Sequence, residues 1–351
     1  MSTVSKSNFE HAMKWTKVFL IVFMITQWLG KGDLIRKVFI FMSTAKTKAS
    51  VSSPTSDKKT GWTGRSKARG FHFSIFLWVM RNGGMRGAYL FLYLVVTWFF
   101  LFDRKSNRYT RLYYRRIWKF SRFKSWRYIF KTYYSFGQCF LDKVAILSGM
   151  YKDFNVEFDG HDLLMQMAAD KKGGMLISAH IGNWEIAGHF LKKTKTPVNV
   201  IMYDVERERV KKVLKDSIEN RSFNMITIEE DFSHLIKIKQ AIDRNEFLCA
   251  HGDRVAEHQK SKAIKADFLG RDVYIPRGPF DLANRFNLPY VFVFAIKESD
   301  KNYHFYAIQG RPESQGNIDM MVRDYLDAMG RLLKDYSDQW FNFYDYWGFD
   351  G

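Results

Sequence analysis

Cysteine is nearly absent, with two in 351 residues, Cys139 and Cys249. They lie far apart and lack metal-ligand spacing, which argues against a disulfide framework or a structural zinc site and fits a reducing cytoplasm. A Gly-x-Ser-x-Gly elbow is also missing, and Ser178 falls inside a predicted strand, so a serine nucleophile has little support. The His-Glu-x-x-His helix pattern is absent, which leaves His180, Glu185 and His189 without the frame of a zinc hydrolase. His189 reads as a helix-face residue. No Gly-rich phosphate loop of the Walker or dinucleotide type occurs, and no internal repeat is visible.

Acidic residues are missing where basic ones are densest. Residues 1–131 hold 26 Lys and Arg against four carboxylates, while the rest of the chain holds 29 against 32. The net charge of +19 therefore belongs to the N-terminal third. Between Asp103 and Asp142 no carboxylate occurs, yet segment 104–131 carries 11 Lys and Arg interleaved with Tyr, Trp and Phe. Such a segment suits nucleic acid or an anionic membrane surface. It directly follows apolar stretches at 71–80 and 88–102. That adjacency favours a membrane, with this segment on the cytoplasmic side, over a nucleic-acid partner. The alternative for 71–102 is a pair of buried core helices. An earlier apolar run, 18–29, is short of the roughly 20 residues a span needs and reads as an anchor. Residues 43–70 read as a basic linker. Aromatics make up 17% of the chain, with 32 Phe, a load that suits contact with lipid or a greasy ligand.

From about residue 156 the pattern alternates. Strands are expected near 175–179, 198–203, 225–228, 247–250, 273–275, 290–296 and 304–308. Helices are expected near 161–171, 183–193, 206–220, 232–245, 278–286 and 318–336. Alternation of this kind gives an α/β fold, a mostly parallel sheet covered by helices. The expected organisation is an N-terminal extension with anchor and linker (1–70), a membrane-associated apolar hairpin with basic-aromatic helices (71–150), and an α/β domain (151–351). The aromatic tail after Gln339 is expected to cap that domain or touch lipid.

The most informative string is Ser178-Ala179-His180-Ile181-Gly182-Asn183-Trp184-Glu185. A buried strand ends in a histidine, and a Gly-Asn pair opens an amphipathic helix. In α/β proteins ligands sit at the carboxyl ends of strands. Glu185, five residues on, is placed to reach back to the imidazole. A carboxylate behind a histidine fixes its tautomer and stabilises the imidazolium formed on proton abstraction. His-x4-Glu after an apolar strand resembles the signature of the glycerolipid and lipid A acyltransferase superfamily. The fuller string resembles the lipid A biosynthesis (lauroyl/myristoyl) acyltransferase branch. Two further stretches are similar in order and character: Phe247-Leu248-Cys249-Ala250-His251-Gly252-Asp253-Arg254, and Phe268-Leu269-Gly270-Arg271 running on to Ile275-Pro276-Arg277-Gly278-Pro279-Phe280. The resemblance covers roughly residues 60–340.

The resemblance implies an O-acyltransferase with no cofactor and no metal. It moves a fatty acyl chain from acyl carrier protein, or coenzyme A, to a hydroxyl of a lipid acceptor such as a lipid A precursor. The expected setting is the cytoplasmic face of a bacterial inner membrane, against its anionic leaflet. Other readings are a lipid or pigment acceptor of another kind, and a non-catalytic module that binds anionic membrane. The candidate catalytic pair is His180 as base and Glu185 as its partner. Gly182, Asn183, Asp253, Arg254 and Arg277 form the candidate substrate and oxyanion-binding set. Arg254 suits a phosphate or oxyanion by bidentate donation, and Asp253 would orient Arg254 or a substrate hydroxyl. Arg277 stands before a helix N-terminus where an acceptor phosphate could sit.

Overall fold

The computed structural model describes residues 70–147, 150, 154–184, 186, 195–203, 223–228, 231–255 and 257–349. The expected anchor at 18–29 and most of the linker lie outside these residues, as do the helix expected at 206–220 and most of that at 183–193.

The first helical element, α1 (Gly70–Phe102), joins two helices across a kink that falls inside the break expected at residues 81–86. Only Gly84 leaves helical geometry, with φ at 63°, a conformation that costs glycine little because it lacks a Cβ. The two apolar stretches are therefore two helical segments that meet at Gly84, bent closely enough that a Cβ on Gly87 would lie 3.9 Å from the Val79 side chain. Ala88, Tyr89, Leu92 and Val96 recur at helical spacing and are buried, whereas Leu90, Tyr93, Leu101 and Phe102 are exposed. Over Asn82–Phe102, which is long and apolar enough to cross a membrane, only 22% of the best window is buried. That value does not fit a helix enclosed in a protein core.

Next come α2 (Arg104–Leu112), capped by the Asp103 carboxylate on Ser106 N, and a π-turn, Tyr113–Ile117. Helix α3 (Arg122–Leu147) then packs back on α1. Aromatic pairs join them: Tyr93 with Tyr134 at 4.3 Å and Phe100 with Trp126 at 5.2 Å between ring centres. The inner residues of these helices share one continuous core with the sheet.

The main sheet is built from β1 (Asn155–Asp159), β2 (Gly174–Gly182), β3 (Val198–Tyr203), β4 (Asn224–Ile228), β5 (Phe247–His251), β8 (Tyr290–Lys297) and β9 (Asn302–Gln309). Their order is β1-β9-β8-β2-β5-β3-β4, and only β8 and β9 pair antiparallel. Strands β6 (Ile264–Phe268) and β7 (Arg271–Ile275) form a separate antiparallel hairpin. The sheet is thus mostly parallel and α/β, as expected. The alternation missed β1, whose exposed edge position leaves it few apolar residues, and β6. It also placed residues 273–275 in the main sheet, although they belong to the hairpin.

Helices α4 (His161–Ala169), α5 (Ser233–Asp243), α6 (Gly278–Arg285) and α7 (Ile318–Tyr336) fall close to their expected positions. In α7 the apolar residues Met321, Val322, Tyr325, Leu326, Met329, Leu332 and Leu333 make one buried stripe, and Asn317 caps its start on Met320 N. Such a stripe holds a helix on a sheet better than propensity alone. Strand β2 is apolar and buried almost throughout because neighbours flank it on both edges.

Candidate active site

Parallel pairing builds the site. Strands β2 and β5 run side by side with Ser178 opposite His251. Two residues further on each chain, the same register sets His180 against Asp253. Gly252 makes the passage possible: its N–H donates to Ser178 O at 2.8 Å, and a Cβ there would lie 2.9 Å from Ile177 and 3.1 Å from Tyr325.

On the other edge, β2 bulges. Ser178 pairs with Val293 and Gly182 with Ala295, so four steps on β2 match two on β8. A bulge of this kind re-aims a side chain, and here it carries His180. Gly182 closes the bulge with φ at 61°, its Cα against the Ala295 carbonyl, where a Cβ would meet the oxygen at 1.9 Å. Glycine is required there by both conformation and space.

His180 faces the Asp253 carboxylate at 2.7 Å from Nδ1, and its backbone N–H donates to the other carboxylate oxygen at 3.1 Å. The Trp340 indole N–H donates to that same oxygen at 3.1 Å. Asp253 is fully buried. Burial alone would raise its pKa, but His180, by charge and hydrogen bond, and Arg254 outweigh it. They hold the carboxyl below its usual range. Asp253 thus takes the orienting position at Nδ1. Glu185 itself lies outside the described residues, as does His189. A one-sequence pattern favours a partner on the same helix turn. The strand-end position of the His251–Arg254 stretch brings Asp253 to the same sheet edge as His180, but only the β2–β5 register makes it the partner of the imidazole.

The aromatic tail completes the site. Phe341 N donates to His180 O, and Trp340 forms an isolated bridge with Ile181. Arg254 secures this tail, with Nη2 on Phe341 O at 2.9 Å and Nε on Asn342 Oδ1 at 3.1 Å. Two of its donors expected to meet a phosphate or oxyanion are thus directed at the protein. Asp253 likewise orients His180 more closely than Arg254, whose Nε stands 3.9 Å away. The tail caps the domain, one of the two roles expected of it.

Asn183 is turned inward. Its amide donates to Cys139 O at 2.8 Å and Tyr303 OH at 3.2 Å, and its backbone N–H donates to Ala295 O. Both Nδ2 hydrogens and the backbone donor are engaged with protein, so its visible role is to fix the strand end, not to face an oxyanion. Gly182 has the same structural character. Arg277 is exposed and pairs with Asp281 one turn along α6, at 3.0 Å. The structure gives it no contact with His180 or Asp253.

The expectations did not single out His251. It ends β5, with its ring centre 4.1 Å from that of His180 and 4.4 Å from Trp184. Both of its ring nitrogens are buried without a hydrogen-bond partner. Burial, with His180 and Arg254 adding to it against Asp253, holds its pKa well below the ordinary histidine value, so the ring is neutral. Cys249, on the same strand, has its thiol pushed up to about 12 by burial, which makes it inert as a nucleophile.

No match to a curated protein was found. A family model described as bacterial lipid A biosynthesis acyltransferase matches residues 126–341. That stretch begins in α3, includes His180, Asp253 and Arg254, and ends on the tail residue that binds His180. With more than half of its length matched, the chain belongs to the bacterial lipid A biosynthesis acyltransferase family and is an acyltransferase.

Proposed function

We propose that this acyltransferase works at a membrane surface, using His180 as general base to transfer a fatty acyl group from a thioester to a hydroxyl of a lipid A precursor. The observation that carries the reading is the 2.7 Å contact between His180 Nδ1 and a buried carboxylate held ionised. That contact keeps the proton on Nδ1 and the lone pair on Nε2. Nε2 takes the proton of the acceptor hydroxyl as its oxygen attacks the thioester carbon. The tetrahedral intermediate collapses, the C–S bond breaks, and the thiolate leaves with the proton carried by the imidazolium. Asp253 stabilises that transient cation. Glu185 belongs to the His-x4-Glu string that resembles the family signature and is a candidate partner in the reaction.

The donor is acyl carrier protein, with coenzyme A as the other thioester of the same chemistry. The setting is the cytoplasmic face of an inner membrane. Two features support it. Only 22% of the apolar window within Asn82–Phe102 is buried, and Leu90, Tyr93, Leu101 and Phe102 are exposed. All 11 basic side chains of 104–131 are exposed, as are Phe123 (82%) and Trp126 (44%). Cations beside exposed aromatics suit an anionic leaflet.

The test is thioester consumption in the presence of a hydroxylated lipid acceptor. His180→Ala should lower transfer by roughly two to four orders of magnitude in a folded protein. Glu185→Ala should be nearly as severe, with Glu185→Asp retaining part of the rate. Wild-type turnover in folded His180→Ala protein would end this mechanism.

A further inference from the structure

The base proposed above stands beside a second histidine with no assigned task. Both ring nitrogens of His251 are buried and neither has a hydrogen-bond partner. An imidazole in that state carries an uncompensated desolvation cost. His180, His251 and Asp253 each offer a ligand atom, and these atoms lie within 4.8 Å of one another. Two imidazoles and a carboxylate are a donor set suited to zinc, with the fourth tetrahedral place left for water. The set prefers zinc to magnesium, which favours an all-oxygen octahedron.

We propose that His180, His251 and Asp253 form a zinc-binding site whose occupation switches the acyltransferase off. Bonds of about 2 Å at tetrahedral angles place ligand atoms roughly 3.3 Å apart, and the three ligand atoms here lie within 4.8 Å of one another. His251 has no hydrogen bond to break when its ring turns to meet the ion. His180 Nδ1 and Asp253 Oδ1 stand 2.7 Å apart, so an ion between them replaces their hydrogen bond and parts them by roughly 0.6 Å. A metal in this group withdraws the Asp253 carboxylate and an imidazole lone pair from acid-base work. No electron is transferred, and any proton on a ligating nitrogen goes to solvent. The inhibitory consequence rests on His180 being the base, whereas zinc binding itself does not.

The experiment uses the full chain in detergent or bilayer. Zinc is titrated against a chromogenic chelator, with magnesium as a control, and acyl transfer is followed at each zinc occupancy. The wild type should bind one zinc per chain, lose transfer in proportion to occupancy and recover it on chelation. His251→Phe keeps a ring against His180 and Trp184 but removes both nitrogens. It should weaken zinc affinity by at least the roughly hundredfold upper end of an outer-shell loss, and its transfer rate should be correspondingly less sensitive to added zinc. His251→Gln provides a second variant if the first misfolds. Absence of stoichiometric zinc binding, binding without loss of transfer, or unchanged affinity in both variants would overturn the site. The base assignment fails separately, by wild-type transfer in zinc-free His180→Ala protein.

Discussion

At the scale of single residues, Asp253 decides more than its neighbours. Asp253→Asn keeps the shape but offers an amide where His180 Nδ1–H needs an acceptor, which disfavours the working tautomer. Transfer should fall by about two to four orders of magnitude while the acceptor KM changes little. A loss seen only in KM would show that Asp253 serves binding. The same carboxylate sets a pH dependence. Its folded pKa is depressed, so its stabilising contribution is complete above the ordinary carboxylate pKa of about 3.9 and is lost as pH falls through the lower folded value. Acid unfolding of Asp253→Asn should therefore lack that part of the wild-type slope. The two candidate arginines should separate. Arg254→Ala frees residues 341–342 from the site and should lower both the unfolding temperature and turnover. Arg277→Ala removes only an exposed i,i+4 pair, worth well under about 1 kcal/mol, and should leave stability unchanged while raising the KM for an anionic acceptor. Equal effects in the two variants would contradict the positions described here.

At the scale of elements, the bulge in β2 is the decisive feature. Gly182→Ala forces a left-handed conformation costing about 1–2 kcal/mol on an L-residue and drives a methyl against the Ala295 carbonyl. The variant should lose at least about 2 kcal/mol of stability and much of its turnover, because His180 lies two residues before it. Thermal unfolding and steady-state kinetics check this together; a stable, fully active Gly182→Ala protein would mean the bulge does not aim His180. Behind the strand end, Asn183 reaches Tyr303, whose hydroxyl donates to the buried Asp142. Lys297 Nζ meets Asp142 at 2.6 Å, and Tyr89 on α1 donates to it as well. One buried carboxylate thus joins α1, α3, β8 and β9 to the segment carrying His180. Removing one partner from such a pair leaves a charge without compensation, which is far costlier than its presence is stabilising.

At the scale of the whole molecule, the basic-aromatic segment has two faces. Tyr113 and Tyr114 turn inward and donate to Ser337 O, and Lys131 meets Asp338 at 2.9 Å. Trp118 packs on Tyr113. The outer face keeps the cations together with Phe123 and Trp126. Replacing Arg115, Arg116, Arg122 and Arg127 by Gln should weaken vesicle binding by up to about 1 kcal/mol per charge at low salt and impair transfer to bilayer-embedded acceptor. Thioester hydrolysis should be spared. Sedimentation with vesicles of graded anionic lipid across a salt series is the check, and binding indifferent to both lipid charge and salt would refute the electrostatic role.

Strand and helix periods, the charge asymmetry and the His180 motif were all legible in the sequence, because each depends on neighbours within a few positions along the chain. The parallel sheet followed from alternation, and α7 from its apolar stripe. What paired with what was not local. The partner of His180, the turning inward of Asn183, the hold of Arg254 on the tail and the isolation of His251 depend on the β2–β5 register and the bulge against β8. Those are set when strands far apart in sequence pack side by side, where backbone hydrogen bonds and side-chain volumes decide the register together.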